Sequence, residues 1–268
     1  MFADVREAFW KQDPKLLEVV KELKTSRAFL VPMFVSEGYF SEGVIPKALG
    51  FDLSRCRRRP AGEASVTKQS SKEALFGSTP EGQLAPRHLV SYKEWFYCKA
   101  VGAHDRMKEV LLGRARQVIK EFPFPRAPKE SEITLFVAGH GTSQDENSRK
   151  SIERQAELIR GMNLYAAVHA VFLEEEPKIS SCYDLARTRN VVVVPFFIGE
   201  GMHVQEDIPV LLGEPERIVK KRLQEGKAPW RNPTERKGKL VWYAESVGSD
   251  PALAEVILER VREAAAEK

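Results

Sequence analysis

Three polar residues stand just past apolar runs that read as strands. His140 closes the run 133–138 within Gly139-His140-Gly141, Glu174 follows the run 166–172, and His203 follows the run 191–198 within Gly199-Glu200-Gly201-Met202-His203. In an open parallel sheet, ligands bind beyond the carboxyl ends of the strands, near the point where strand order reverses. With the first of these strands between the second and third, as in a flavodoxin-like order, neighbouring ends lie about 5 Å apart. Two imidazoles and a carboxylate can then converge on one point the size of a metal ion. Imidazole nitrogen with carboxylate oxygen suits Co, Fe, Ni or Zn better than Mg or Ca. Imidazoles also titrate near neutrality, so the same pair can accept protons.

Each residue also has a plainer reading. His140 can be a small polar residue in a tight Gly-His-Gly turn, and His203 an exposed loop residue. Glu174 belongs to the run Glu174-Glu175-Glu176 and can decorate a helix N-terminus. His169, inside a strand, reads as a satisfied core histidine, and His88 and His104 as surface residues. An internal repeat bears on the readings of His203 and Glu174.

Val31-Pro32-Met33-Phe34-Val35-Ser36-Glu37-Gly38, with Ile45-Pro46 and Gly50, matches Val194-Pro195-Phe196-Phe197-Ile198-Gly199-Glu200-Gly201, with Ile208-Pro209 and Gly213, at a constant offset of 163 residues. Val5, Phe9 and Pro14 match Val168, Phe172 and Pro177 at the same offset. Such self-similarity is read before any fold is assigned. The counterpart of His203 is Phe40 and that of Glu174 is Lys11. A copy that keeps its backbone-shaping Gly and Pro but replaces the polar residues has kept a fold and dropped a chemistry. Downstream, Val101-Gly102-Ala103-His104-Asp105 with Arg114 matches Val247-Gly248-Ser249-Asp250 with Arg260 at an offset of 146, so the first copy carries a 17-residue insertion within 51–91. Surface loops tolerate such insertions cheaply.

The second copy alternates strands (133–138, 166–172, 191–198, 240–245) with helical stretches (145–162, after Pro177, 209–223). Pro177 is expected in a helix's first turn, and Asp250-Pro251 as N-cap and N1 of the closing helix. This alternation predicts a parallel sheet with helices on both faces. The fold class is α/β: two tandem flavodoxin-like domains, each a mostly parallel four-stranded sheet flanked by helices. The first copy is degenerate and lacks its first strand, so that half either makes do with three strands or begins further upstream. The expected domains are 1–121 and 131–268, joined by the Pro-rich linker 122–130.

Bulk properties narrow the function classes. At 268 residues, 43% hydrophobic and 30% charged, the chain is long enough for two ordinary cores. No apolar run approaches the roughly 20 residues of a membrane span, and the N-terminus mixes charges as no signal peptide does. Three scattered Cys without CxxC spacing argue against a disulfide framework or a Cys-held cluster and fit a reducing cytoplasm. The net charge of +4 suits an anionic small molecule. The one dense basic run, Arg55-Cys56-Arg57-Arg58-Arg59, reads as a solvated loop or a lip for substrate carboxylates. It has no interleaved aromatics and no nucleic-acid motif beside it, so no nucleic-acid partner is expected.

The segments Phe-Val-Ala-Gly-His-Gly-Thr (136–142) and Val-Pro-Phe-Phe-Ile-Gly-Glu-Gly-Met-His-Val-Gln-Glu-Asp-Ile-Pro (194–209) resemble the class II chelatases of the CbiX type, sirohydrochlorin chelatases that insert cobalt or ferrous iron into a tetrapyrrole. Phe-Leu-Glu-x-x-x-x-Ile (172–179) and Val-Gly-x-Asp-Pro-x-Leu (247–253) fit the same pattern. The likeness covers 131–262 well and 5–115 as a degenerate copy. It implies flavodoxin-like domains facing a cleft, with His140 and His203 as the metal-handling pair and Glu174 as third participant. It implies Co²⁺ as the metal substrate, or Fe²⁺ or Ni²⁺, and neither nucleotide nor iron–sulfur cluster, since the Cys motif and His-rich stretch of some long members are missing. Arg57, Arg58 and Arg59, with Arg87 and Lys93, are candidates to meet the substrate's eight carboxylates. Helix N-termini at Thr142 and Val204 would add backbone donors. The working unit would be a monomeric pseudo-dimer or a homodimer. A metal or tetrapyrrole carrier would use the same ligands without turnover. Phosphoryl transfer through His140 is the weaker rival, because Gly139 stands where the phosphatase pattern has Arg.

Overall fold

A computed structural model describes residues 2–51, 53, 58–59, 94–142 and 146–267. Its strands are β1 (Arg27–Leu30), β2 (Arg58–Arg59), β3 (Glu94–Tyr97), β4 (Ile133–Gly139), β5 (Ala167–Phe172), β6 (Asn190–Pro195), β7 (Thr234–Arg236) and β8 (Lys239–Tyr243). Its α-helices are α1 (Leu16–Glu22), α2 (Ile45–Leu49), α3 (Met107–Glu121), α4 (Glu146–Gly161), α5 (Cys182–Leu185), α6 (Ile208–Leu211), α7 (Glu216–Gln224) and α8 (Leu253–Ala266). The chain forms two compact units: Met1–Pro32, Tyr39–Lys99 and Arg260–Lys268 in one, Met33–Gly38 and Ala100–Glu259 in the other. No helix among the described residues is long and apolar enough to cross a membrane.

The second unit is built on a five-stranded sheet in the order β5-β4-β6-β8-β7, parallel except for β7. All seven residues of β4 and residues 191–195 of β6 are buried, the continuous apolar pattern of strands covered on both faces. On one face Phe136, Val171, Val193 and Tyr243 pack with Ile179, Val204, Ile208, Leu212 and Trp230. The alternate residues Leu135, Val137, Val192 and Trp242 are equally buried, on the side covered by α3 and α4. There the Trp242 indole N–H donates to the Phe122 carbonyl at 2.9 Å.

Sequence and structure diverge at four places in this unit. Pro177 does not open a helix: its carbonyl accepts the Phe172 N–H at 2.9 Å, closing a tight loop, and only a 3-10 turn (Ile179–Ser181) and the single turn of α5 follow. The expected helix 209–223 splits into α6 and α7, because Gly213 takes φ +97° and Pro215 cannot donate to a continuing ladder. The closing helix starts at Leu253 after a 3-10 turn (Val247–Ser249). Asp250 still caps, its carboxylate accepting the Ala252 N–H at 2.8 Å. The sheet also gains β7, a polar edge strand without hydrophobic alternation, joined to β8 by Lys237 (φ +46°) and Gly238 (φ +72°), the two positive values of a tight hairpin turn.

In the first unit β1 runs parallel to β3, and β2 antiparallel to it, in the order β1-β3-β2. By the repeat offsets β1 and β3 correspond to β6 and β8, and β2 matches β7 in pairing antiparallel to the equivalent strand. Its core gathers Phe96, Cys98 and Ala264, with Phe29, Val31 and Val261 against them; the Phe29 and Phe96 rings stack at 4.7 Å. Residues 5–9, expected to form the equivalent of β5, are not a strand. Phe9 makes only an isolated bridge to Lys15, as Phe172 does to Lys178. The reason is pairing: β5 is held by β4, and the described first copy has no counterpart of β4.

The repeat is nonetheless kept in backbone detail. Turns of π-helical type at Tyr39–Val44 and His203–Asp207 lead into α2 and α6. Gly102 and Gly248 both sit against backbone: an added Cβ would lie 2.2 Å from the Val35 carbonyl oxygen and 1.6 Å from that of Ile198. No side chain fits either place, so both copies carry glycine there.

Candidate functional site

Because β4 lies between β5 and β6, the loops leaving the carboxyl ends of these three strands emerge side by side. The first turns sharply at Gly141, whose φ is +62° and whose added Cβ would come within 2.8 Å of the Phe172 side chain. Neither condition admits another residue without strain. The His140 carbonyl accepts the N–H groups of Leu173 (3.0 Å) and Glu174 (3.2 Å), which stitches the first loop to the second. His203 arrives from the third loop. Its ring meets that of His140 edge-on, with centroids 5.0 Å apart and planes at 75°.

The Glu174 carboxylate lies 3.7 Å from His140 Nε2, too far for a direct hydrogen bond and close enough to form an ion pair once the ring is protonated. Its neighbours are occupied elsewhere. Glu175 accepts from Arg149 at 3.0 Å, and the Glu176 carboxylate accepts the Lys178 N–H at 3.0 Å. Of the acidic run, Glu174 is the carboxylate beside the histidine. His203 Nδ1 stands 2.6 Å from Asp207 Oδ2. A carboxylate there favours the proton on Nδ1 and leaves the Nε2 lone pair outward. Asp207 is the residue sequence reasoning missed, although its i, i+4 spacing from His203 was a visible signal. The side chains of His140, His203 and Glu174 are 32%, 47% and 56% exposed. Among the described residues no three His, Cys, Asp or Glu close into a preformed metal cage. The cluster is open to solvent and to a large ligand.

The loop carrying His203 is backed by residues 245–250. The Gly248 N–H donates to the Phe197 carbonyl at 3.2 Å, and the Glu200 carboxylate accepts the Ser246 N–H at 3.0 Å. Arg114, 4% exposed, clamps that backing: it donates to the Ser246 carbonyl (2.9 Å), the Glu245 carboxylate (2.9 Å) and the Ser249 hydroxyl (2.7 Å). The repeat marked Arg114 as a conserved feature of both copies; its role becomes visible only in three dimensions.

Other expectations fare differently. Thr142 lies four residues before the first described residue of α4, and residues 143–145 between them lie outside the described residues. The Val204 N–H is taken by the Gly201 carbonyl at 3.0 Å, so it offers no donor to an anion. Arg58 and Arg59 form β2, opposite Phe96 and Trp95; their side chains, like Arg57, Arg87, Lys93 and His88, lie outside the described residues. His169 is not satisfied: its Nε2 is buried without a partner, its ring stacks on Phe136, and burial, helped by Arg160 and Arg187, holds its pKa below the usual histidine value. His104 Nδ1 accepts the Arg106 N–H at 3.1 Å.

Comparison with known proteins bears on the family and the fold. The family model described as CbiX matches residues 1–118 and again 134–264. A probable sirohydrochlorin cobaltochelatase of Halobacterium salinarum is 36% identical over 265 residues, covering 99% of this chain and 81% of its own. A sirohydrochlorin cobaltochelatase of Methanopyrus kandleri is 32% identical over 144 residues, 51% of this chain and 99% of its own. Among solved structures, a multi-domain Deinococcus radiodurans protein with structural similarity to chelatases superposes with a TM-score of 0.63 at 22% identity. The match covers 97% of this chain and 46% of that protein. At that identity the likeness speaks for the fold alone.

Proposed function

The chain belongs to the CbiX family, and from that footing we propose that it is a chelatase that inserts a divalent metal into sirohydrochlorin or a closely related tetrapyrrole. The observation that carries the reading is the convergence of His140, His203 and Glu174 on the carboxyl edge of one parallel sheet. Relatives named as cobaltochelatases favour Co²⁺ as the metal substrate; Fe²⁺ and Ni²⁺ suit the same donors. Among the described residues this cluster forms once, in the second copy.

Metallation removes two pyrrole N–H protons while the incoming M²⁺ loses water. In this reading His140 and His203 present neutral nitrogens on one face of the macrocycle, steady the ion there and accept the displaced protons. Asp207 fixes the His203 ring so that Nε2 is the nitrogen offered. As His140 takes a proton, the Glu174 carboxylate 3.7 Å away stabilises the imidazolium and can pass the proton outward, being more than half exposed. An open donor set, without a closed cage, supports release of the metal into the macrocycle over storage.

The test is anaerobic absorption spectroscopy of sirohydrochlorin with Co²⁺ or Fe²⁺, with the parent protein and with a His140→Ala/His203→Ala variant. Acceleration by the parent that vanishes in the variant is expected, and the relative rates rank the metals. A shifted pigment spectrum with no gain in rate would indicate a carrier.

A further inference from the structure

Beside the histidine cluster, in the same compact unit, lies a cavity of about 720 Å³ at the carboxyl end of β8. Its wall includes Val204 and Gln205, the two residues that follow His203, so one turn of chain carries the histidine and bounds the cavity. Since β8 pairs directly with β6, the cavity opens about one strand spacing, ~4.8 Å, from the strand that delivers His203. The macrocycle of the chelatase reading, with its side arms, is a ligand broad enough to reach both.

The cavity's cations are Arg114, Arg222, Lys227 and Arg231. Arg114 is spent internally on Glu245 and the loop behind it. Arg222 commits only Nε, to the Ala228 carbonyl at 2.7 Å, and its terminal nitrogens have no protein partner among the described residues. Arg231 has no side-chain partner there, and its side chain is exposed. Lys227 holds Glu225 at 2.7 Å. The acids that line the same cavity are engaged: Glu245 with Arg114, Glu200 with the Ser246 N–H and Gln205, and Glu121 with Gln117. Glu200 and Glu121 take these bonds from neutral donors and keep their charge, so, counting Glu225 on Lys227, the cavity is not cationic overall. What it offers is the unpartnered guanidinium nitrogens of Arg222 and Arg231, whose forks suit carboxylates bidentately.

In sequence, the segment from α7 to β7, with Lys220, Lys221, Arg222, Lys227 and Arg231, lies between the stretches aligned at offsets 163 and 146, where the first copy has the Arg55–Arg59 run and its insertion.

We propose that this cavity is a carboxylate subsite, in which Arg222 and Arg231, assisted by Lys227, hold the acidic side arms along one edge of the tetrapyrrole and so select polycarboxylate over apolar macrocycles. The inference rests on the chelatase reading for its substrate class. The experiment is an Arg222→Ala/Arg231→Ala variant, checked for an unchanged far-UV spectrum and melting temperature. Two quantities are measured: steady-state metallation of sirohydrochlorin, and titration of metal-free sirohydrochlorin by absorption. The variant is expected to raise KM and the pigment Kd about tenfold or more, the size of one or two charge-assisted contacts, with kcat within about twofold and a shallower salt dependence. A macrocycle whose carboxylates are esterified should bind parent and variant alike. An unchanged KM and Kd in the variant, with the parent active, would overturn the subsite and leave the chelatase standing. Pigment binding weakened in the variant, with a parent that binds pigment but never metallates, would sustain the subsite and overturn the chelatase. A parent that binds no pigment would overturn both.

Discussion

The turn that begins at Tyr39 and the turn around His203 share one backbone and differ in chemistry. Both are π-type turns followed by a short helix carrying proline in its first turn, and both helices end at a glycine of positive φ, +74° at Gly50 and +97° at Gly213. In one, position 40 is Phe and position 44 Val; in the other, the matching positions are His203 and Asp207. The backbone therefore does not require the polar pair. What the first copy lacks is a partner for such a pair. Without a counterpart of β4 among its described residues there is no Gly-His-Gly turn and no second imidazole. A chelating cluster needs three adjacent strand ends, and only the second copy describes them.

The sharpest way to break this comparison is to exchange the residues. His203→Phe recreates the first copy's turn and should fold normally, with a melting temperature within about 2 °C of the parent. Metallation should nonetheless fall about 10²–10⁴-fold, the range for losing a positioned proton acceptor. The reciprocal Phe40→His should add no activity, measured in the His203→Phe background. Restored metallation there would show that the first copy can host a site after all.

A second test separates backbone need from side-chain need. Gly141→Ala puts a Cβ at φ +62° and 2.8 Å from Phe172, which should cost about 2–3 kcal/mol and lower the urea midpoint. Activity should fall with it as His140 is displaced. Gly43→Ala, in the first copy's turn, meets nothing within 4 Å, and its counterpart is already Glu206, so it should change the midpoint little. Equal losses at the two positions would deny that the His140 turn is under special constraint.

A smaller effect is expected at Asp207. Asp207→Asn keeps size and turn but weakens the hold on His203 Nδ1. Loss of such an outer partner lowers metal handling about 10–100-fold, so the metallation rate should fall within that range while His203→Phe falls further. The matching Val44 predicts unchanged stability. A variant with the parent's rate would remove Asp207 from the mechanism.

How much of this could be read beforehand follows the locality of each cause. The 163-residue offset was legible because Gly and Pro dictate backbone wherever they stand. His140, Glu174 and His203 were legible because a parallel sheet gathers its strand ends. The splitting of helix 209–223 was local too, and Gly213 with Pro215 was a signal left unused. The rest depended on contacts distant in sequence. Residues 5–9 look like a strand and fail for want of a neighbour. Arg114 lies in the first copy by sequence and clamps residues 245–250 in space. The free donor expected at Val204 is taken up locally, its N–H bonding back to the Gly201 carbonyl just ahead of the π-type turn, a conformation that composition does not announce.

The last prediction concerns the entry to β4, the strand that distinguishes the two copies. Arg126 grips Glu132 with both nitrogens, at 2.7 and 2.9 Å, and the Lys129 N–H donates to the same carboxylate at 2.9 Å. The arginine hydrogen bonds, then the backbone one, hold the Glu132 carboxyl at about 2, below its ordinary 4.5. A depressed carboxyl stabilises the fold above its unfolded value and loses that contribution as pH falls through the folded one. Melting temperature followed from pH 7 down to about 2.5 should therefore show parent and Glu132→Gln farthest apart near neutrality and converging as pH falls from about 4.5 towards 2. Because the pair is fully solvated, the gap should be small and should shrink in high salt. A gap that stays constant across that window would mean the pair is passive, and that β4 is held in place by its buried neighbours alone.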